Sequence, residues 1–167
     1  RDTNYNPGIG VGHYIIKNNK LKGAVMVSLE HESNGKAGED SRSWNYLNLS
    51  AKYFYNMRLS AKAQVYLPYV DGGNNKDLLR YKGYGIFSVN YIDSKNLWWF
   101  SLNIIPRDQF INPNLHTSLS FRVSKNSNQY LTLDYYAGYG EGLLNYKKYT
   151  NQVRIGFTIK PDFFSAY

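Results

Sequence analysis

Residues 58–67 read RLSAKAQVYL, a stretch in which small or apolar side chains alternate strictly with polar ones. Alternation with a period of two predicts a β-strand whose two faces meet different surroundings. One face of this strand would be apolar and consist of Leu59, Ala61, Ala63, Val65 and Leu67. The opposite face would carry Arg58, Ser60, Lys62, Gln64 and Tyr66.

The same period recurs along the chain and predicts about nine strands of roughly ten residues, the length that a tilted transmembrane strand needs. The other strands are predicted near residues 8–17, 22–33, 42–55, 80–92, 96–105, 117–124, 131–135 and 152–160. Turn-forming residues separate them at 17–20, 71–75, 93–96 and 125–128. No helical period competes, and no domain boundary or internal repeat is visible. We therefore expect residues 1–167 to form a single all-β domain, an antiparallel transmembrane β-barrel.

The alternation by itself leaves open which face points inward. A soluble lipocalin-like barrel directs its apolar face inward, whereas a membrane barrel directs it outward. Two features favour the membrane barrel. The chain ends on an aromatic residue, Tyr167, after Phe163 and Phe164, a terminus that resembles those of outer-membrane proteins. The polar face also carries long charged side chains, too many for a small soluble core but suited to a hydrogen-bonded lumen: Arg58, Lys62, Arg122, Arg154 and Lys160.

Composition narrows the class of protein and its partners. Aromatic residues make up 17% of the chain although its mean hydropathy is −0.53, which suits alternating strands and excludes a bundle of membrane helices. The absence of cysteine excludes disulfides and thiolate metal sites. A formal charge of +8 favours an anionic partner. Because the Lys and Arg residues are dispersed, we expect anionic lipid or lipopolysaccharide headgroups and no nucleic acid.

The predicted number of strands is odd, whereas bacterial single-chain barrels have an even number. Strand-like sequence also begins almost at Arg1. We therefore expect the chain to be N-terminally incomplete and to lack further strands of the barrel.

Polar side chains interrupt the apolar face of one predicted hairpin. The apolar stripe of the second strand, which includes Leu29, continues at period two with His31 and Ser33. The next strand runs back with Asn45 at the same end of its own apolar stripe, ahead of Leu47. An unpaired polar group in hydrocarbon costs several kcal/mol, so this placement indicates a function.

The spacing of these side chains suits nucleophilic catalysis. Residues i and i+2 of a strand lie roughly 6.5–7 Å apart, which lets an imidazole reach a serine hydroxyl. A symmetric hairpin pairs Ser33 with Ser43 and His31 with Asn45, so that the Asn45 amide accepts a hydrogen bond from the imidazole. This supplies a nucleophile, a base and an orienting group. A His-x-Ser pair alone would more often be a chance feature of a strand end at the membrane interface, and the position of Asn45 favours the catalytic interpretation.

The segments HESNG at residues 31–35 and SRSWN at 41–45 resemble the active-site hairpin of the outer membrane phospholipase A family. Residues 1–7, 138–141 and 152–159 fit the same family. The resemblance implies a twelve-stranded barrel in the bacterial outer membrane, with its active site in the outer leaflet. It implies a calcium-dependent hydrolase of phospholipid acyl esters that is active as a homodimer.

The resemblance also implies roles for individual residues. Ser33 would be the nucleophile, His31 the general base and Asn45 the orienting residue, and the Gly35 amide would donate to the oxyanion. Ca²⁺ would be bound by the Ser41 hydroxyl and the Lys36 carbonyl oxygen, with its waters completing the oxyanion hole.

Some residues differ from the family's pattern, and the roles of some others are left unassigned. The family's calcium ligand from the partner subunit would precede Arg1, and Gly38 replaces an acid of the hairpin loop. No calcium role is assigned to the nearby acids Glu39, Asp40, Asp71 and Asp77. The alternative function is a non-enzymatic outer-membrane barrel, either a small pore or an adhesin.

Three other features are interpreted structurally. Residues 138–142 read GYGEG and are predicted to end a strand and begin an extracellular loop. Residues 98–100, Trp-Trp-Phe, are predicted to belong to an aromatic girdle. His13 and His116 lack the spacing of metal ligands and are given no role.

Overall fold

The computed structural model describes residues 3–70, 73–108 and 112–160. Within these residues, nine antiparallel strands form one sheet in chain order, each bonded to the next. The strands are β1 (Gly8–Lys17), β2 (Lys20–Ser33), β3 (Ser43–Phe54), β4 (Leu59–Tyr69), β5 (Gly85–Ile92), β6 (Trp98–Ile105), β7 (Asn114–Arg122), β8 (Gln129–Gly138) and β9 (Thr150–Ile159). A 3-10 turn, Gly38–Asp40, and a short helix, α1 (Leu78–Lys82), lie in loops. Strands β1 and β9 are the two edges of the described sheet.

The apolar face of the sheet points to the surroundings. Ile9, Leu29 and Phe157 are 78%, 63% and 76% exposed. The opposite face buries small polar side chains, among them Ser28, Asn48, Ser60, Ser120 and Thr132. A face of exposed apolar residues outside and polar residues inside is the pattern of a membrane barrel and the reverse of a soluble one. The expected membrane barrel is confirmed over the soluble alternative.

The described helices include none that is long and apolar enough to cross a membrane.

The two ends of the sheet differ in the length of their connections. At one end the strands are joined by short turns at residues 18–19, 55–58, 93–97 and 123–128. At the other end the connections are longer, at residues 34–42, 70–84, 106–113 and 139–149. Outer-membrane barrels have short periplasmic turns and longer extracellular loops. The long-loop end is therefore the extracellular one, and β2 delivers His31 and Ser33 to it.

An aromatic and aliphatic cluster lies on the lumen side of the sheet at the long-loop end. Helix α1 and the loop at 139–149 pack against the inward face of β3, where the Trp44 and Tyr46 rings stack with centroids 4.0 Å apart. The buried members of this cluster, called the plug below, are Trp44, Tyr46, Leu78, Leu79, Leu143 and Tyr146.

The expected strand near residues 80–92 is wrong at its beginning. Residues 80–82 belong to α1, and β5 begins only at Gly85. Leu78 and Leu79 are buried in the plug, which favours a helical turn here. Gly83 ends that turn, with φ at 99° and its N–H donating to the Leu79 carbonyl. One helical turn is too short to produce a visible period in the sequence.

Four other expectations are refined by the structure. Trp98 and Phe100 point outward as girdle residues do, but Trp99 is buried on the inner face. His116 lies with its Nε2 2.7 Å from Asp134 Oδ1 in the lumen. Arg58 lies in a short turn and not in a strand. The Gly-rich motif does end β8, at Gly138.

Four residues named in the sequence analysis lie outside the described residues: Asp71 and the C-terminal aromatics Phe163, Phe164 and Tyr167.

Candidate active site

The β2–β3 hairpin has the symmetric register that the sequence predicts. Ser33 pairs with Ser43 and His31 with Asn45. Directly paired residues of an antiparallel sheet project to the same side, and alternate residues share a face. His31, Ser33 and Asn45 therefore share the outward face with Leu29 and Leu47, and all three are half-buried.

His31 and Asn45 are joined by a hydrogen bond. The imidazole Nδ1 lies 2.8 Å from the Asn45 side-chain oxygen, Oδ1. Because an amide oxygen only accepts, Nδ1 carries the proton and Nε2 is left as an acceptor. The orienting group is uncharged, so no carboxylate is placed on the membrane-facing surface.

The backbone around Ser33 is held from both sides. On the side away from β3, the Ser33 N–H donates to the Tyr5 carbonyl at 2.9 Å, and the Tyr5 N–H donates to the Ser33 carbonyl at 2.8 Å. The His31 N–H donates to the Pro7 carbonyl at 2.9 Å. Among the described residues, no hydrogen bond joins the Ser33 hydroxyl to His31. Catalytic hydrogen bonds are often long in a ligand-free enzyme, and a serine hydroxyl changes position by rotation about χ1.

Gly35 follows Ser33 in a left-handed conformation, with φ at 66°. A Cβ at this position would lie 2.7 Å from the Cε2 atom of Tyr5. Only glycine tolerates both the conformation and this close approach. The Tyr5 ring therefore packs against the segment that carries the expected oxyanion donor.

Asn34 organises the hairpin loop between β2 and β3. Its buried side-chain oxygen accepts the N–H groups of Lys36 at 3.3 Å and Arg42 at 3.0 Å. Its amide group donates to the Asp40 carbonyl at 2.8 Å. The sequence analysis missed Asn34, although Asx side chains commonly close turns in this way.

The same loop contains the two residues expected to bind calcium. Ser41, whose N–H donates to the Gly38 carbonyl, and Lys36 are brought into one short loop by Asn34. A hydroxyl and a carbonyl oxygen are hard donors of the kind that Ca²⁺ prefers, so their chemistry fits the ion. Two protein oxygens fall short of a full coordination shell.

The acidic residues near the loop do not form a metal-binding cluster with these two donors. No group of three or more His, Asp or Glu side chains suited to a metal occurs among the described residues. Glu39 and Asp40 are exposed in the 3-10 turn. Asp77 instead accepts hydrogen bonds from Tyr146 and Lys147.

On the lumen side, a buried carboxylate lies directly behind the three outward residues. Glu32 is 3% exposed and accepts hydrogen bonds from Trp44 Nε1 at 2.6 Å, Asn4 Nδ2 at 2.6 Å and Lys82 Nζ at 3.0 Å. Trp44 is also the cross-strand partner of Glu32. This contact therefore fixes the hairpin register between the Ser33 and His31 pairs. The sequence analysis did not find it.

Comparison with known proteins identifies the family of the chain. The model of the phospholipase A1 family matches residues 1–159. The chain belongs to the phospholipase A1 family.

Individual relatives of this family member are distant in sequence. The phospholipase A1 of Proteus vulgaris is 26% identical over 170 residues, which cover 95% of this chain and 53% of the relative. The phospholipase A1 of Escherichia coli K12 is 26% identical over 168 residues, covering 93% of this chain and 52% of the relative. The chain thus spans about half the length of the curated relatives it matches.

Solved structures of this family share the fold. Outer membrane phospholipase A from Escherichia coli superposes with a TM-score of 0.82 at 23% identity, over 96% of this chain and 61% of that one. The Salmonella typhi enzyme, solved as a dimer with bound calcium, gives a TM-score of 0.83 at 24% identity with the same coverage. The fold is that of the outer-membrane barrel, and this family member is located in a bacterial outer membrane.

Proposed function

We propose that the protein hydrolyses acyl ester bonds of phospholipids in the outer leaflet, with Ser33 as nucleophile, His31 as general base and Asn45 as orienting residue. The observation that carries this proposal is the 2.8 Å contact between His31 Nδ1 and Asn45 Oδ1 on the membrane-facing side of the hairpin. It fixes the tautomer in which Nε2 accepts a proton.

The steps follow from the residues present. Ser33 Oγ attacks the acyl carbonyl carbon while His31 Nε2 takes the hydroxyl proton. The Gly35 N–H donates to the oxyanion of the tetrahedral intermediate. The imidazolium then protonates the departing glycerol oxygen, and an ester on Ser33 remains. Water, activated by His31 in the same way, releases the fatty acid and restores the hydroxyl.

Asn45 orients the imidazolium but stabilises its charge less than an aspartate would. A neutral partner avoids the large cost of placing a carboxylate on a surface next to hydrocarbon.

We propose Ca²⁺ as the cofactor, held by the Ser41 hydroxyl and the Lys36 carbonyl. When bound, the ion supplies positive charge beside the developing oxyanion. The calcium-bound Salmonella typhi relative supports this cofactor. Asn34 contributes by holding the loop that carries both donors.

The surroundings of the triad suit a substrate that arrives from within the membrane. A groove of about 500 Å³ beside the imidazole has a lining that includes Pro7, Ile9, Leu29, Glu30, His31 and Asn45. Its apolar side chains offer a surface for an acyl chain that diffuses laterally in the outer leaflet. Because the groove is open to the outside, we propose that a second copy of the protein completes it. The dimeric Salmonella typhi structure supports such a homodimer.

The alternative function as a small pore is not favoured by the structure. Leu78, Leu143 and Tyr146 are at most 2% exposed in the plug, which packs on the lumen side of the sheet at the long-loop end. A pore would need a solvated passage there.

The proposal is tested by fatty acid release from dispersed phospholipid by the full-length protein in detergent with calcium. Ser33→Ala should abolish release, and a calcium chelator should do the same to the unaltered protein. Ser43→Ala is the matched control, because it removes a hydroxyl from the directly opposed position on the same face. Release by Ser33→Ala at the rate of the Ser43→Ala variant would refute the proposal.

A further inference from the structure

The loop between β4 and α1 contacts the β2–β3 hairpin at the level of Ser33. Asn75 is 1% exposed, and its Nδ2 donates to the Ser43 carbonyl at 2.8 Å. Asn74 is exposed, and its Nδ2 donates to the Gly38 carbonyl at 3.0 Å. Ser43 is the first residue of β3 and the cross-strand partner of Ser33. Asn74 and Asn75 are called the asparagine pair below.

Strand geometry explains why the Ser43 carbonyl needs a donor from outside β2. In an antiparallel ladder, residue pairs that bond to each other alternate with pairs whose backbone groups point away from each other. The Asn34 N–H donates to the Arg42 carbonyl at 3.1 Å, which makes these two residues a bonded pair. The next pair, Ser33 with Ser43, is therefore of the second kind. The Ser33 backbone bonds with Tyr5, and the Ser43 carbonyl points the other way, towards β4.

Strand β4 ends before it reaches this level. Its last residue, Tyr69, pairs with Asn45, two residues further along β3 than Ser43. The buried Asn75 side chain lies beside Ser43 and supplies the N–H that a further rung of the ladder would supply. Because a backbone carbonyl kept from water requires a donor, this contact fixes the beginning of β3.

The same loop connects the hairpin to the plug. The Leu78 N–H donates to the Asn75 carbonyl at 3.0 Å, and the Leu78 side chain is fully buried in the plug. The Gly38 carbonyl that Asn74 contacts also accepts the Ser41 N–H at 3.1 Å. The asparagine pair therefore joins the plug to the loop at 34–42 and to the beginning of β3.

We propose that the asparagine pair positions the catalytic hairpin for hydrolysis. Asn75 fixes the beginning of β3, on which Asn45 lies. Asn74 fixes the loop that carries the proposed oxyanion donor, Gly35. Both act through the backbone that bears the catalytic groups and not on the substrate, so they are positioning residues. The inference rests on the proposed hydrolysis by Ser33.

The test combines fatty acid release by the full-length protein, in detergent with calcium, with hydrogen exchange of the hairpin. Asn75→Ala should lower kcat about tenfold with a smaller change in KM, because a small displacement of catalytic groups slows the chemical step. Asn74→Ala should lower kcat about threefold, since an exposed hydrogen bond contributes less. Both variants should show faster exchange at residues 35–43. The exposed Asn74 can be replaced without a threat to folding, so its variant decides if Asn75→Ala does not fold.

Asn114→Ala is the matched control for loss of a buried asparagine. Asn114 is also 1% exposed, and its side chain bonds with the Tyr81 carbonyl at 2.7 Å and the Tyr139 N–H at 2.8 Å, away from the hairpin. Its replacement should lower the Tm at least as much as Asn75→Ala does. It should leave both kcat and the exchange of residues 35–43 unchanged, which separates positioning from a general loss of stability.

Three results would overturn the proposal. Equal kcat in the Asn74→Ala, Asn75→Ala and Asn114→Ala variants would mean that the pair only supports the fold. Unchanged exchange of residues 35–43 in the first two variants would mean that the pair does not hold the hairpin. Absence of fatty acid release by the unaltered protein would refute the proposed hydrolysis itself, and with it any catalytic role of the pair, whatever the exchange shows.

Discussion

Glu32 and Trp44 face each other across the β2–β3 hairpin on its lumen side, and the indole Nε1–H donates to the carboxylate at 2.6 Å. On the outward side of the same two strands, the neighbouring pairs are Ser33 with Ser43 and His31 with Asn45. A slip of one residue would reverse which side chains face outward. The lumen contact therefore holds the register on which the proposed triad depends.

Glu32→Ala should destabilise the protein by about 3 kcal/mol, because it leaves the half-buried Lys82 and the buried Trp44 indole without their acceptor. Glu32→Gln keeps an acceptor and should cost less. The free energy of unfolding in denaturant, measured after refolding into lipid, checks this. Glu39→Gln, at an exposed acid of the neighbouring loop, is the control and should change nothing. Equal stability of Glu32→Ala and the control would contradict the role of Glu32.

Asn45→Ala should lower kcat about a hundredfold with a smaller change in KM, since its main effect is the loss of the group that orients the base. Steady-state hydrolysis of a dispersed phospholipid measures both constants. Asn145→Ala, at an exposed position of the loop at 139–149, is the matched control. A kcat for Asn45→Ala equal to that of the control would show that the contact with His31 has no catalytic role.

Gly35→Ala and Gly38→Ala separate a steric effect from a backbone effect. Both glycines have positive φ, 66° and 63°, but only Gly35 has a neighbour, Tyr5, within contact of an added Cβ. Gly38→Ala should therefore cost about 1 kcal/mol for the backbone conformation alone. Gly35→Ala should cost more in unfolding experiments and should also lower kcat. Tyr5→Ala in the same chain as Gly35→Ala should recover part of the lost stability, and no recovery would exclude the proposed clash.

The plug should loosen in acid through Asp77. Partial burial acts to raise the pKa of this carboxyl, but hydrogen bonds from Lys147 and Tyr146 outweigh it and lower the pKa below its ordinary value of 3.8. A lowered pKa means that the contact stabilises fully above that ordinary value and is lost as the pH falls through the lowered one. The protection of residues 139–149 against hydrogen exchange, after correction for the intrinsic pH dependence of exchange, should therefore fall in that acidic range. Asp77→Asn, which does not titrate, should remove this step, and an unchanged step in the variant would assign it to another group.

The sequence predicts the strands and the hairpin because both depend on local pattern. Period-two alternation identifies each strand, and a short hairpin with symmetric pairing places Asn45 opposite His31 without knowledge of the rest of the molecule. The predicted beginning of β5 is wrong for a related reason, since one turn of helix at Leu78–Lys82 is too short to show a helical period in the sequence.

The sequence pattern could not predict the contacts that support the site. Lys82 reaches Glu32 from fifty residues further along the chain, and Tyr5 lies twenty-eight residues before Ser33. Such pairs depend on how the long loops fold over the lumen and on which segment lies beside β2. Alternation reports only that a residue faces inward or outward, so it could place Glu32 in the lumen but not name its partners.

The most direct test of the proposed nucleophile is covalent labelling of the full-length protein with an alkyl fluorophosphonate in the presence of calcium, followed by peptide mass spectrometry. We predict a single adduct on Ser33, no adduct on Ser43, and loss of labelling in His31→Ala. An adduct at another residue, or labelling of Ser33 that persists unchanged in His31→Ala, would contradict the proposed triad.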